Sequence, residues 1–183
     1  MKIKLFSILL LCSVFVVKSF AQESDGVKNV HSVKLSYLSL GYSYEHAITK
    51  QAVINSEIKL LYGFGANTII SSSRVNYYAL IPLIRLEPRY YYNFLKRTNK
   101  GKWTINNSAN YLALSVNKNF NPIIYSPGVI IQDVFNIIPK WGLKRTMGEH
   151  FIFETTIGIG YEFNRIDPGR ARMGFDLQFG YAF

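Results

Sequence analysis

The chain has 183 residues, a formal net charge of +10 and one cysteine, and 49% of it is hydrophobic with 15% aromatic. A lone thiol excludes both a disulfide framework and a cysteine metal site, and the length suits a single domain. The basic excess is compatible with nucleic acid, an anionic lipid surface or plain solubilising charge.

Lys2 and Lys4 precede an apolar run from Leu5 to Val17, and Ser19, Phe20 and Ala21 form a small-x-small site. Residues 1–21 therefore read as a signal peptide cleaved after Ala21, and residues 22–183 as one domain. A membrane-anchoring helix needs about 20 apolar residues, and Lys18 interrupts the run before that. Cys12 follows Leu10 and Leu11, where a lipoprotein anchor calls for small residues, so the thiol leaves with the peptide. Without Lys2, Lys4 and Lys18, 18 of the 21 basic residues face 11 acidic ones. Export favours anionic lipid over nucleic acid as a partner, with solvated charge the plainer reading.

Beyond the signal, side chains alternate with period two, the mark of strands. Val33, Leu35 and Tyr37 alternate within His31–Tyr37, then the phase breaks against Leu38, Leu40, Tyr42 and Tyr44, which calls for a tight turn or bulge between two strands. Ile54, Ser56, Ile58, Leu60, Tyr62 and Phe64 oppose Asn55, Glu57 and Lys59. Ile84, Leu86, Pro88, Tyr90, Tyr92 and Phe94 oppose Arg85, Glu87, Arg89, Tyr91 and Asn93. The segment Trp103–Val116 changes phase, which leaves the inner face of Asn107, Ser108, Ala109 and Asn110 open. Phe151, Phe153, Ile157, Ile159, Tyr161 and Phe163 oppose Glu154, Gly158, Gly160 and Glu162. Finally Met173, Phe175, Leu177, Phe179, Tyr181 and Phe183 oppose Arg172, Gly174, Asp176, Gln178 and Gly180.

Short polar turns at Thr49–Gln51, Thr98–Gly101 and Thr146–Glu149 alternate with longer connections at Gly65–Asn76, Lys118–Gly128 and Asn164–Arg170. That pattern predicts an all-β fold, an antiparallel up-and-down transmembrane barrel of about eight strands with short periplasmic turns. A hairpin centred near Gly148 would set Lys144 opposite Ile152 and Gly142 opposite Glu154. Pro82, Pro88 and Pro139 fall in strands, and a closed barrel has no edge to hide a missing N–H, so bulges or extension beyond the membrane are expected.

An eight-stranded barrel is just wide enough inside for side chains. The expected interior charge cluster is Glu57, Lys59, Arg85, Glu87, Arg89, Lys140, Lys144, Glu154, Glu162 and Asp176, either a filled polar plug or the lining of a narrow conduit. Tyr90, Tyr92, Trp141, Phe151 and Phe153 lie near the short turns, as an aromatic girdle would. With inside and outside exchanged, the same alternation describes a soluble periplasmic ligand-binding barrel of lipocalin type.

The run Phe175-x-Leu177-x-Phe179-x-Tyr181-x-Phe183 resembles the C-terminal strand that assembly machinery recognises in outer-membrane proteins. With Gly41–His46 and Pro139–Gly142, it makes the chain resemble small eight-stranded outer-membrane β-barrel proteins. The resemblance implies a bacterial outer-membrane location, with lipid, lipopolysaccharide and the assembly machinery as partners, and no cofactor. Some such barrels modify lipid A with a histidine near the outer leaflet. Here His31, His46 and His150 all fall at the short-turn end, and no metal spacing, phosphate loop or nucleophile elbow is present. No catalysis is expected; a structural or interaction role is, with a narrow channel or carrier as the alternative. Arg74, Lys118, Arg165 and Arg170 on the long loops are candidates for contact with lipopolysaccharide phosphates.

Overall fold

A computed structural model describes residues 26–70, 73–127, 134–164 and 169–183. The expected signal peptide lies outside these residues. The strands are β1 (Val30–Ser36), β2 (Ser39–Ala47), β3 (Ala52–Ile70), β4 (Ser73–Tyr90), β5 (Asn110–Asn119), β6 (Ile124–Tyr125), β7 (Phe135–Met147), β8 (Phe151–Phe163) and β9 (Arg170–Ala182). Between β4 and β5 stand a short helix, α1 (Phe94–Asn99), and a 3-10 turn, Ile105–Asn107.

Every pairing is antiparallel, and the sheet closes because β1 pairs with β2 on one side, Val33 against Tyr42, and with β9 on the other, Val33 against Tyr181. Eight strands make the wall; β6 only adds a two-residue rung beside β4, Ala79 against Tyr125 and Leu80 against Ile124. The phase break at Tyr37–Leu38 is a two-residue turn, with the Ser36 and Ser39 hydroxyls 2.7 Å apart. The short first strand is therefore formed.

Alternation resolves as polar inside and apolar outside. Lys34, Glu45, Glu57, Lys59, Glu87, Arg89, Lys144 and Glu154 are buried, whereas Ile58 is 61% exposed, Ile159 65% and Phe175 73%.

Three expectations are corrected. Thr98–Gly101 does not join two strands: β4 stops at Tyr90, and residues 91–109 form a cap over that end of the barrel. The cause is burial, since Tyr91 and Phe94 turn inward against Val27, Val53, Ala109 and Tyr111, and removing this apolar surface from water outweighs further strand pairing. The cap also explains the phase change in Trp103–Val116, because β5 begins only at Asn110. Second, Gly65–Asn76 is not a long loop. The backbones of β3 and β4 stay paired up to Ile70 against Ser73, with one irregularity between Gly65 and Thr68.

Third, the β7–β8 register differs from expectation by two residues: Lys144 faces Glu154, Gly142 faces Thr156 and Thr146 faces Ile152. The turn spans Gly148 to His150, with Gly148 at a left-handed φ of 64°, and so centres on Glu149. The prolines sit where ladders lapse. The β4–β5 pairing skips Glu87 and Pro88 between Leu86–Val116 and Arg89–Ala113, and the β7–β8 pairing skips Ile138 and Pro139.

Candidate functional site

The interior is built from inward positions of all eight wall strands. In the layer next to the cap, Arg89 on β4 reaches Glu45 on β2 at 2.8 Å, Glu154 on β8 at 2.9 Å and Glu87 on its own strand at 2.7 Å. Lys144 on β7 joins Glu45 at 2.9 Å, and Lys34 on β1 joins Glu154 at 2.7 Å. Two buried phenols complete the layer: Tyr91 donates to Glu45 at 3.0 Å, and Tyr111 donates to Glu154 while its ring lies 4.5 Å beneath the Arg89 guanidinium.

The next layer is looser. Lys140 meets Glu87 at 2.5 Å, Arg85 spans Glu57 at 3.2 Å and Asp176 at 3.5 Å, and Lys59 spans Asp176 at 3.2 Å and Glu57 at 3.3 Å. Arg85 also donates to Asn117 at 2.6 Å and Gln178 to Asp176 at 2.6 Å. Among the described residues of the two layers, Lys34, Lys59, Arg85, Arg89, Lys140 and Lys144 face Glu45, Glu57, Glu87, Glu154 and Asp176, six cations against five carboxylates. Desolvating such groups is tolerable because every charge is paired, and each of the five carboxylates, with Lys59, Arg85 and Arg89, has at least two ion-pair partners.

Nine of the ten charges singled out in the sequence thus fall in two ion-pair clusters, one around Arg89 that includes Glu87, Lys140, Lys144 and Glu154, and one of Glu57, Lys59, Arg85 and Asp176. Glu162 does not: it pairs with Arg172, whose side chain is 53% exposed, towards the loop end. Sequence reasoning missed Lys34 and Glu45, although the alternation of Val33 with Leu35, and of Leu40 with Tyr42 and Tyr44, already placed both on the opposite face. It also missed the interior role of Tyr111. Gly142 makes room for that ring, since a Cβ there would lie 2.2 Å from Tyr111 Cζ.

The cap seals the layer from below through Asn107, whose amide accepts from the Lys28 N–H at 2.8 Å and donates to the Lys28 carbonyl at 2.8 Å and to Glu45 at 2.7 Å. These bonds hold Asn107 at a left-handed φ of 61°, next to Asn106 at 52°, whose own amide donates to the Glu149 carbonyl. A recess of about 350 Å³ lies between the cap and the N-terminal segment, bordered by Lys28, Asn29, Phe94, Thr98 and Asn106.

Towards the opposite end lies a vestibule of about 290 Å³ whose lining includes Lys59, Arg85, Lys140 and Asp176 with Ser115, Asn117 and Asn136. These groups can hydrogen-bond a hydrophilic solute. Among the described residues no group of three or more His, Cys, Asp or Glu could hold a metal. The histidines stand at the capped end: His31 stacks on Tyr44 at 4.5 Å with its Nδ1 2.6 Å from the Tyr42 hydroxyl, and His150 stacks on Tyr181 at 5.0 Å. His46 Nδ1 lies 3.3 Å from the Tyr44 hydroxyl.

Phe175, Leu177, Phe179, Tyr181 and Phe183, the expected assembly signal, are all exposed on the outer face of β9 and just beyond it. Of the loop cations, Arg74 lies near the start of β4, Lys118 near the end of β5 and Arg170 at the start of β9, while Arg165 falls outside the described residues. No family model, curated protein or solved structure matches the chain. The functional reading therefore rests on the arrangement of its side chains.

Proposed function

We propose that the chain is an integral β-barrel protein of a bacterial outer membrane, exported by a cleaved signal peptide, with a structural or interaction role and no catalysis. The observation that carries this is the apolar outer wall around a charged interior. Ile58, Ile157, Ile159, Met173 and Phe175 are each at least 51% exposed, and an apolar surface of that extent is foreign to soluble monomers. Lipid supplies the missing contact, and closure through β1 and β9 meets the demand that no strand edge be left unpaired in hydrocarbon. Aromatic side chains collect towards the capped rim, where Trp141 donates to the Tyr92 hydroxyl at 3.0 Å, the arrangement expected at a membrane interface.

Gel mobility of the protein from isolated outer membranes, with and without boiling in detergent, tests the proposal. A shift on heating supports a closed barrel. Recovery of the protein in the soluble periplasmic fraction, with no shift, refutes it and favours a soluble ligand-binding barrel.

One observation favours a second reading, a carrier or receptor for a small hydrophilic solute: the vestibule is lined by Lys59, Arg85, Lys140 and Asp176 together with amide and hydroxyl side chains. The plug beneath it argues against a through-channel. Absence of single-channel steps in a planar bilayer is expected, and regular steps that change in Arg89→Ala would overturn the plug.

A further inference from the structure

Segment 91–109 contains Lys96, Arg97, Lys100 and Lys102 and no Asp or Glu. Its conformation is fixed from within. Arg97 donates to the Ser108 carbonyl and the Trp103 carbonyl, each at 2.9 Å, which folds the stretch after α1 back on itself. The segment is also tied to the barrel rim: Thr146 donates to the Ile105 carbonyl at 2.8 Å, and Asn106 donates to the Glu149 carbonyl at 2.6 Å.

This rigid cap presents Lys96, Lys100 and Lys102 to the outside, together with Trp103 at 52% exposure and Ile105 at 43%. Burial of Phe94 and Tyr91 explains why the cap exists, but it does not explain an outward indole beside three lysines. The neighbouring rim adds an apolar group, since Met147, adjacent to the Thr146 that holds Ile105, is 52% exposed, although Glu149 of the same turn is exposed too. Indoles favour the headgroup level of a bilayer, and lysines there lay their stems along apolar groups and reach for phosphate.

We infer that the cap docks onto the membrane surface at the short-turn rim, with Trp103 and Ile105 entering the headgroup boundary and Lys96, Lys100 and Lys102 pairing with the phosphates of anionic phospholipids. The inference rests on the outer-membrane reading. The charge match selects the partner: three exposed cations in a segment without a carboxylate gain about fivefold in affinity each near an anionic surface and nothing near a zwitterionic one.

The two tryptophans of the chain make the test direct. A Trp141→Phe variant leaves Trp103 as the reporter, and the protein is refolded into vesicles of phosphatidylcholine alone or mixed equally with phosphatidylglycerol. Insertion is scored on the same samples by heat-modifiable gel mobility. The expected result is a blue-shifted Trp103 emission, quenched by shallow-brominated lipid in the mixed vesicles only. That response is lost at high salt and in the Lys96→Gln, Lys100→Gln, Lys102→Gln triple variant, both measured in the Trp141→Phe background. Equal quenching in both lipids, or quenching indifferent to the triple variant, in a barrel that has inserted overturns the inference alone. Failure of the wild type to insert removes the membrane reading and the inference with it.

Discussion

Replacing Glu154 by Gln tests whether the interior network holds the barrel together. The substitution keeps the volume and one acceptor oxygen, so the Tyr111 bond survives in neutral form. Arg89 retains Glu45 at 2.8 Å and Glu87 at 2.7 Å. Lys34, 2% exposed, has Glu154 as its ion-pair partner at 2.7 Å and is stranded. Breaking a buried pair from one side costs about 3–5 kcal/mol, and most of that cost should fall on Lys34. Adding Lys34→Met removes the stranded ammonium, so the double variant should recover about 2–3 kcal/mol relative to the sum of the single ones. Urea unfolding of vesicle-inserted protein, read by gel mobility, measures all three variants. A Glu154→Gln loss under about 1 kcal/mol, or strict additivity in the double variant, would refute the claim that the buried charges around Arg89 act as a coupled cluster.

Ile157 faces outward at 51% exposure in the middle of β8, beside Trp141 and Phe175. Ile157→Arg should cost about 2–4 kcal/mol in vesicles if lipid covers that face, against about 0.5 kcal/mol or less at a water-exposed site; the urea midpoint separates the two. Gly142→Ala should lose about 1–3 kcal/mol through the clash with the Tyr111 ring, and the loss should vanish in a Tyr111→Ala background when both are unfolded in urea. Asn107→Ala removes both bonds to Lys28 and the bond to Glu45. Hydrogen exchange at the Lys28 amide should accelerate by at least tenfold, the effect of about 1.4 kcal/mol or more of lost protection.

The closed wall was legible because its two faces differ so sharply in chemistry. In β9 every second residue is apolar over 13 residues, and in β8 Thr155 alone interrupts the same pattern, so a one-residue slip would reverse both faces at once. The cap was not legible for a complementary reason. Tyr90, Tyr92 and Phe94 continue the strand period past the end of β4, and a helix of six residues is too short to display its own. The turn chemistry at Thr98–Gly101 was real, with Gly101 at a φ of 62°, but it ends α1 rather than joining two strands. The β3–β4 overhang was missed because its serines and glycines are equally at home in a loop.

Within the interior, the faces of the charges could be read but their partners could not. Lys144 stands directly across from Glu154 in the ladder, yet its ammonium goes to Glu45 on the far wall. Which side chains meet across the lumen depends on strand tilt and shear, and these leave no local trace in composition.

The seam between β1 and β9 has a consequence in time. Val33 and Tyr181 meet there from opposite ends of the described chain, and until they do, the growing sheet carries two raw edges and an apolar outer face. Loop closure over such a span is entropically slow to find, and an open sheet of this kind pairs readily with other copies. The hazard ends abruptly when the ring shuts, because no strand can then detach without breaking two ladders. The interval before closure, rather than the finished molecule, is where a helper that shields β-edges has the most to contribute.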